Sequence, residues 1–225
     1  MIPMAAPAEF YARLMSGVCG YAVGMPIRSV RRAIAAVFVV IVAAIMPAAA
    51  QRRAIPLVQA TEVGRPFFPP GDTPAGGNGQ PVDGIQGLSQ EMLAVHIHAH
   101  LSLFNRGEQI AVPLGIGIVK PLRVVNGFAS GAALYWLHTH DATGIIHVES
   151  PDARLYTLGQ FFDIWGRPLG KSDVAGLQGT VHAFVDGRPY TGDLRAIVLT
   201  AHEQITIEVG EPVVAPPVYT FPSGL

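Results

Sequence analysis

Apolar and polar side chains alternate through Val95-His96-Ile97-His98-Ala99-His100-Leu101-Ser102. A period of two marks a strand, and the flanking apolar residues extend it from Met92 to Phe104. Asn105-Arg106-Gly107-Glu108 reads as a turn, after which Gln109 to Pro113 returns. Ile116 to Val119 is a short apolar strand. Ala133 to Thr139 and Ile145 to Ser150 form a second alternating pair around Asp141-Ala142-Thr143-Gly144, which has Asp first and Gly last, as a tight turn prefers. With Ala142 and Thr143 at the tip, Asp141 pairs with Gly144, His140 with Ile145 and His138 with His147.

The period then changes. Leu158, Phe161, Phe162 and Trp165 fall at helical spacing, Thr157 can cap the first turn, and Gly166 and Pro168 end it. The stripe reads as core. Thr180 to Val185 is again a strand, Asp186-Gly187 a turn, and Ile197 to Thr200 and Gln204 to Val209 further strands. Beyond Glu211, four prolines forbid a central strand, so the tail should lie extended, with Tyr219 and Phe221 as anchors. These elements predict a mainly β (α+β) domain over 91–225: small, β-rich, with one short helix. Strand, strand, short helix, strand, strand from Ala133 onward makes the second half β-grasp-like. A β-sandwich with one helical crossover is the alternative.

Residues 51–90 are rich in Pro and Gly and read as a linker or an arm. The Phe67-Phe68 pair within them is suited to docking on a neighbouring surface. Residues 1–50 are an N-terminal extension and signal peptide. Arg28, Arg31 and Arg32 precede a 14-residue apolar run, Ala33 to Met46, and Ala48-Ala49-Ala50 supplies a cleavage site after Ala50. Met25 is a candidate true start. The run is short for a membrane span, which needs about 18–20 residues; an uncleaved anchor is the alternative and the one route to a membrane. Arg31-Arg32 also raises a twin-arginine signal, although its surroundings fit that motif poorly. The expected location is periplasmic, extracellular or cell-envelope.

The whole chain is 50% hydrophobic and 14% charged, but the N-terminal run inflates the first figure. Residues 51–225 carry 11 Lys/Arg against 15 Asp/Glu, a net charge of −4, and no basic run of the kind that tracks phosphates. Nucleic acid is therefore not an expected partner, and nothing names a protein partner. The sole cysteine, Cys19, lies in the removed part. The mature chain has no thiol and one methionine, Met92. Any metal must be held by His, carboxylate and water, which disfavours Cu(I) and favours Cu(II) or Zn.

Six of the eight histidines lie between His96 and His147. Strand alternation puts His96, His98 and His100 on one face, and the predicted hairpin puts His138, His140 and His147 together. Metal–nitrogen bonds of about 2.0–2.1 Å demand such crowding. All three of the first triplet cannot meet one ion, because i to i+4 spans about 13 Å of strand. The expected ligands are His138, His140 and His147, completed by His98 or His100. His96, Asp141 and Glu149 are candidates for additional ligands or for orienting an imidazole. A hydrogen-bonded or acid-sensing His cluster, and catalysis without metal, are the other readings. His182 and His202 stand apart and read as structural. There is no His-Glu-x-x-His, Gly-x-Ser-x-Gly or phosphate-cradling loop. A metal-dependent envelope enzyme remains an alternative to simple metal holding, as does a non-catalytic envelope binding module.

At HIHAH (96–100), YWLHTHDATGIIHVESP (135–151), YTLGQFFDIWG (156–166), Val185-Asp186-Gly187 and the Tyr219-Thr220-Phe221-Pro222 tail, the chain resembles a family of exported, largely uncharacterised bacterial and archaeal proteins. The likeness covers about residues 76–225. It implies an exported domain with a shared histidine face and no established activity. It also implies cysteines in several relatives near Leu88 and near Ala133 or Leu134; this chain lacks both.

Overall fold

The computed structural model describes residues 52–71, 75–90 and 94–225. The expected signal peptide, Cys19 and the Met92 end of the first strand lie outside them. The described residues build a mainly β domain with one α-helix and several sheets.

The principal sheet has seven strands: β1 (Val95–Asn105), β2 (Glu108–Ile110), β3 (Leu137–His138), β4 (Ile145–Ser150), β5 (Val181–Val185), β6 (Arg188–Tyr190) and β7 (Gln204–Val209). Their spatial order is β6-β5-β7-β1-β4-β3, with β2 paired to β1 as a hairpin. Only β1 and β7 run parallel. The five strands β4-β1-β7-β5-β6, numbered as they leave the chain, run 2-1-5-3-4, a β-grasp order. The helix α1 (Leu158–Trp165) sits between the second and third. The grasp is therefore not confined to the second half, because its first strand is β1. Ile197 to Thr200 is not a strand: a 3-10 turn at Leu194–Ala196 precedes it, and Val198 makes a single bridge to Thr157.

Alternation along paired strands divides the sheet into two faces. Ala99, Leu101 and Leu103 of β1 share one with Ile146 and Val148 of β4 and Ile205 and Ile207 of β7. All are buried, in one core with Leu158, Phe161, Phe162, Ile164 and Trp165 of α1. Burying each large apolar side chain contributes about 1.5–3 kcal/mol at most. The helix starts as its sequence dictates: Thr157 Oγ1 accepts from the Gln160 N–H, the Gln160 carboxamide accepts from the Thr157 N–H, and Gly166 closes the end at φ 71°.

The opposite face carries His98, His100, Ser102, His147, Glu149, Thr206 and Glu208, and these too are buried. The chain before β1 and the C-terminal tail help to cover it. Ile55–Pro56 pairs in parallel with Tyr219–Thr220, and Leu57, Ile145 and Tyr219 form a small second core. Further along the arm, the Val63 N–H donates to the Ala142 carbonyl (3.0 Å) and the Arg65 N–H to Gln109 (2.8 Å). Of the aromatic pair, Phe68 docks edge-on against Trp165 at 5.0 Å, while Phe67 stays exposed. Leu88 pairs directly with Leu134 in a separate three-stranded sheet. No helix among the described residues is long and apolar enough to cross a membrane.

Candidate metal centre

Sheet register builds the site. His138, His147 and His98 stand opposite one another on β3, β4 and β1, one imidazole per strand in a single row. Two residues along β4, Glu149 stands opposite His96. His140 lies just past the end of β3 and is held from outside the sheet. Its carbonyl accepts from the Ala129 N–H (2.7 Å), and its ring stacks on Phe128 at 4.3 Å and 11°. The pairing of His138 with His147 is the one the Asp141–Gly144 turn predicts.

Ligand atoms of His138, His140, His147 and Glu149 all lie within 4.8 Å of one another, and the four residues are buried. A second group, His96, His98 and Glu149, meets the same distance limit and shares the carboxylate.

Hydrogen bonding fixes the tautomers. His138 Nδ1 lies 2.8 Å from the Tyr135 carbonyl, and His140 Nδ1 lies 2.8 Å from the Ala129 carbonyl. A carbonyl only accepts, so both Nδ1 atoms carry hydrogen. In neutral rings both Nε2 atoms then present lone pairs, and these face each other at 3.0 Å. Two acceptors at that distance repel unless a cation lies between or beside them. On His138 a proton is the poorer choice. Burial, then the His147 and His140 imidazoles, push His138 well below the ordinary histidine range. His147 is pushed well below it by burial, then by His140 and His98. A tetrahedral ion with bonds of about 2.0–2.1 Å would separate its ligand atoms by about 3.4 Å, close to this spacing.

Glu149 completes the arrangement. Its Oε1 accepts from His147 Nδ1 at 3.1 Å and lies 3.4 Å from His96 Nε2. Its Oε2 lies 4.0 Å from His138 Nε2. Glu149 Oε2 and His98 Nε2 are both buried without a hydrogen-bond partner. Leaving such atoms unpaired is costly, whereas coordination would satisfy them. Three imidazoles and a carboxylate suit Zn or Cu(II), so the donor set fits a divalent ion.

The remaining candidates fall elsewhere. His100 Nε2 donates to the Thr143 carbonyl at 2.8 Å, and its ring packs on Tyr219 at 4.5 Å. Burial pushes it down to about 4. His98 is pushed down to about 4 by burial and then by His96; it joins the second group rather than the first. Asp141 is spent on its own turn. It accepts from the Thr143 N–H (3.0 Å), the Thr143 hydroxyl and the arm's Ala60 N–H (2.7 Å). His182 meets exposed Glu211 at 3.2 Å, and His202 meets the Leu225 carbonyl at 2.9 Å. Sequence reasoning missed Phe128 and the Ala129 and Tyr135 carbonyls. A backbone carbonyl leaves no residue-type signal, and nothing local ties residue 129 to His140.

Fold and site together define a β-rich domain of grasp order with a buried histidine–carboxylate cluster able to hold a metal ion. Comparison with family models, with curated proteins and with solved structures finds no match.

Proposed function

We propose that this chain is an exported metal-binding protein that holds Cu(II) or Zn at His138, His140, His147 and Glu149. The observation that carries the reading is the pair of Nε2 lone pairs facing each other at 3.0 Å, with both Nδ1 hydrogens committed to carbonyls. The thiol-free mature chain supports a borderline divalent ion over Cu(I). The signal-like N-terminus and the family likeness support export. Leu88 and Leu134 being direct partners suits a disulfide in relatives that carry cysteines near these positions. His138, His140, His147 and Glu149 are at most 8% exposed, which favours holding an ion over turning over a bulky substrate.

Elemental analysis of the protein purified from the exported compartment tests this. At least one equivalent of copper or zinc is expected, with a loss of most of it in His138→Ala/His140→Ala. Equal, negligible metal in both proteins would overturn the reading and leave the cluster as a hydrogen-bonded structural device.

A further inference from the structure

The carboxylate of Glu149 belongs to two ligand groups at once. Its Oε2 faces His138 at 4.0 Å, on the side of the buried group. Its Oε1 accepts from His147 Nδ1 at 3.1 Å and also lies 3.4 Å from His96 Nε2, a member of the second group. His98 sits between His147 and His96, with ring centroids 4.6 Å and 5.0 Å away. Its Nε2 is buried and has no hydrogen-bond partner, although an imidazole nitrogen so placed needs one.

We infer that His96, His98 and Glu149 form a second divalent-cation site, and that Glu149 bridges it to the first. This rests on the metal-binding reading above and adds a paired centre to it. A bridging carboxylate places two ions about 3.5–4 Å apart. Each ion then takes one oxygen: Oε2 for the buried site, Oε1 for the outer one. Both orphaned atoms acquire partners by this assignment, which a single ion in the buried group does not achieve for His98. The His96 side chain is 40% exposed. The outer site therefore opens to solvent, and with only three protein ligands it leaves coordination positions for water or a small anion. The two sites differ in character: the inner ion is enclosed, the outer one exchangeable.

The test strips the purified protein with chelator and titrates it with Zn(II) in equilibrium dialysis. Wild type should bind two equivalents, and His96→Ala/His98→Ala one. His96→Ala alone, changed at an exposed ring, should also lose the second equivalent while its circular dichroism stays native. One equivalent in wild type, or two retained in His96→Ala, would overturn the second site and leave the first standing. No bound zinc in wild type would remove both readings. With Cu(II), a bridged pair should give an integrated electron paramagnetic resonance signal below two spins per protein. The full signal of two isolated ions would overturn the bridge.

Discussion

His138 and His140 are both anchored through Nδ1. Each Nδ1 donates to a backbone carbonyl, and the low-dielectric surroundings oppose a second proton on His138. The same holds along the face: His98 and His100 are held near 4, and His147 well below its ordinary value, by burial first. An unfolded chain regains the ordinary value near 6.5. Below that pH the unfolded state binds more protons, so stability falls as pH drops from about 6.5 towards 4, by about 1.4 kcal/mol per pH unit for each such ring. Glu203 and Glu208 act in the opposite sense. Burial raises both, so the native state takes up protons first and gains stability on acidification. Asp83, raised by its hydrogen bond with Asp163, adds to them, but four rings outweigh three carboxyl groups. Denaturant midpoints of the metal-free protein should therefore fall steadily between pH 6.5 and 4.5. A flat profile would mean that these rings are solvated.

The His hairpin and the helix are the elements on which the site depends, and they differ in tolerance. Gly144 sits at φ +88°, where a Cβ would come 2.4 Å from the Leu101 carbonyl oxygen and 3.0 Å from His100 Nε2. Gly144→Ala should cost about 3 kcal/mol, through backbone strain and collision with β1. Thr157→Ala should cost only about 1 kcal/mol, the usual loss of a helix cap. Thermal unfolding checks both, at about 2–4 °C per kcal/mol for a domain of this size; an equal shift in the two variants would contradict the ranking. The elements legible in the sequence were those set by local rules. Turn chemistry at Asp141–Gly144 fixed the His138–His147 register, and the spacing of Leu158, Phe161, Phe162 and Trp165 fixed the helix. The parallel pairing of β1 with β7 was not legible, because it joins strands about a hundred residues apart through no local signal. That pairing makes β1 a central strand; the antiparallel pairing with β4 on its other side aligns His98 with His147, and His100 lies against Thr143 and Tyr219.

For the molecule as a whole, the unusual feature is a sheet buried on both faces by different means. One face is oily and meets the helix. The other is lined with imidazoles, carboxylates and hydroxyls, and the arm, the Phe128–Ser130 strand and the C-terminal tail help to enclose it. Burying so many polar groups opposes folding unless each finds a partner. Most do: His100 has Thr143, Asp141 has Thr143 and Ala60, and Glu208 Oε2 accepts from the Val214 N–H at 2.7 Å. The atoms on this face left over include His98 Nε2 and Glu149 Oε2, beside the opposed pair on His138 and His140. A divalent cation at the buried cluster accounts for the opposed pair and for Glu149 Oε2, and the second group of His96, His98 and Glu149 accounts for His98 Nε2. The direct measurement is an anomalous difference map at the copper or zinc absorption edge, from crystals of the protein as purified without chelator. The account predicts a peak about 2.0–2.1 Å from both the His138 and His140 Nε2 atoms. A map with no peak at the cluster, or with its peaks only at surface histidines such as His182, would contradict it.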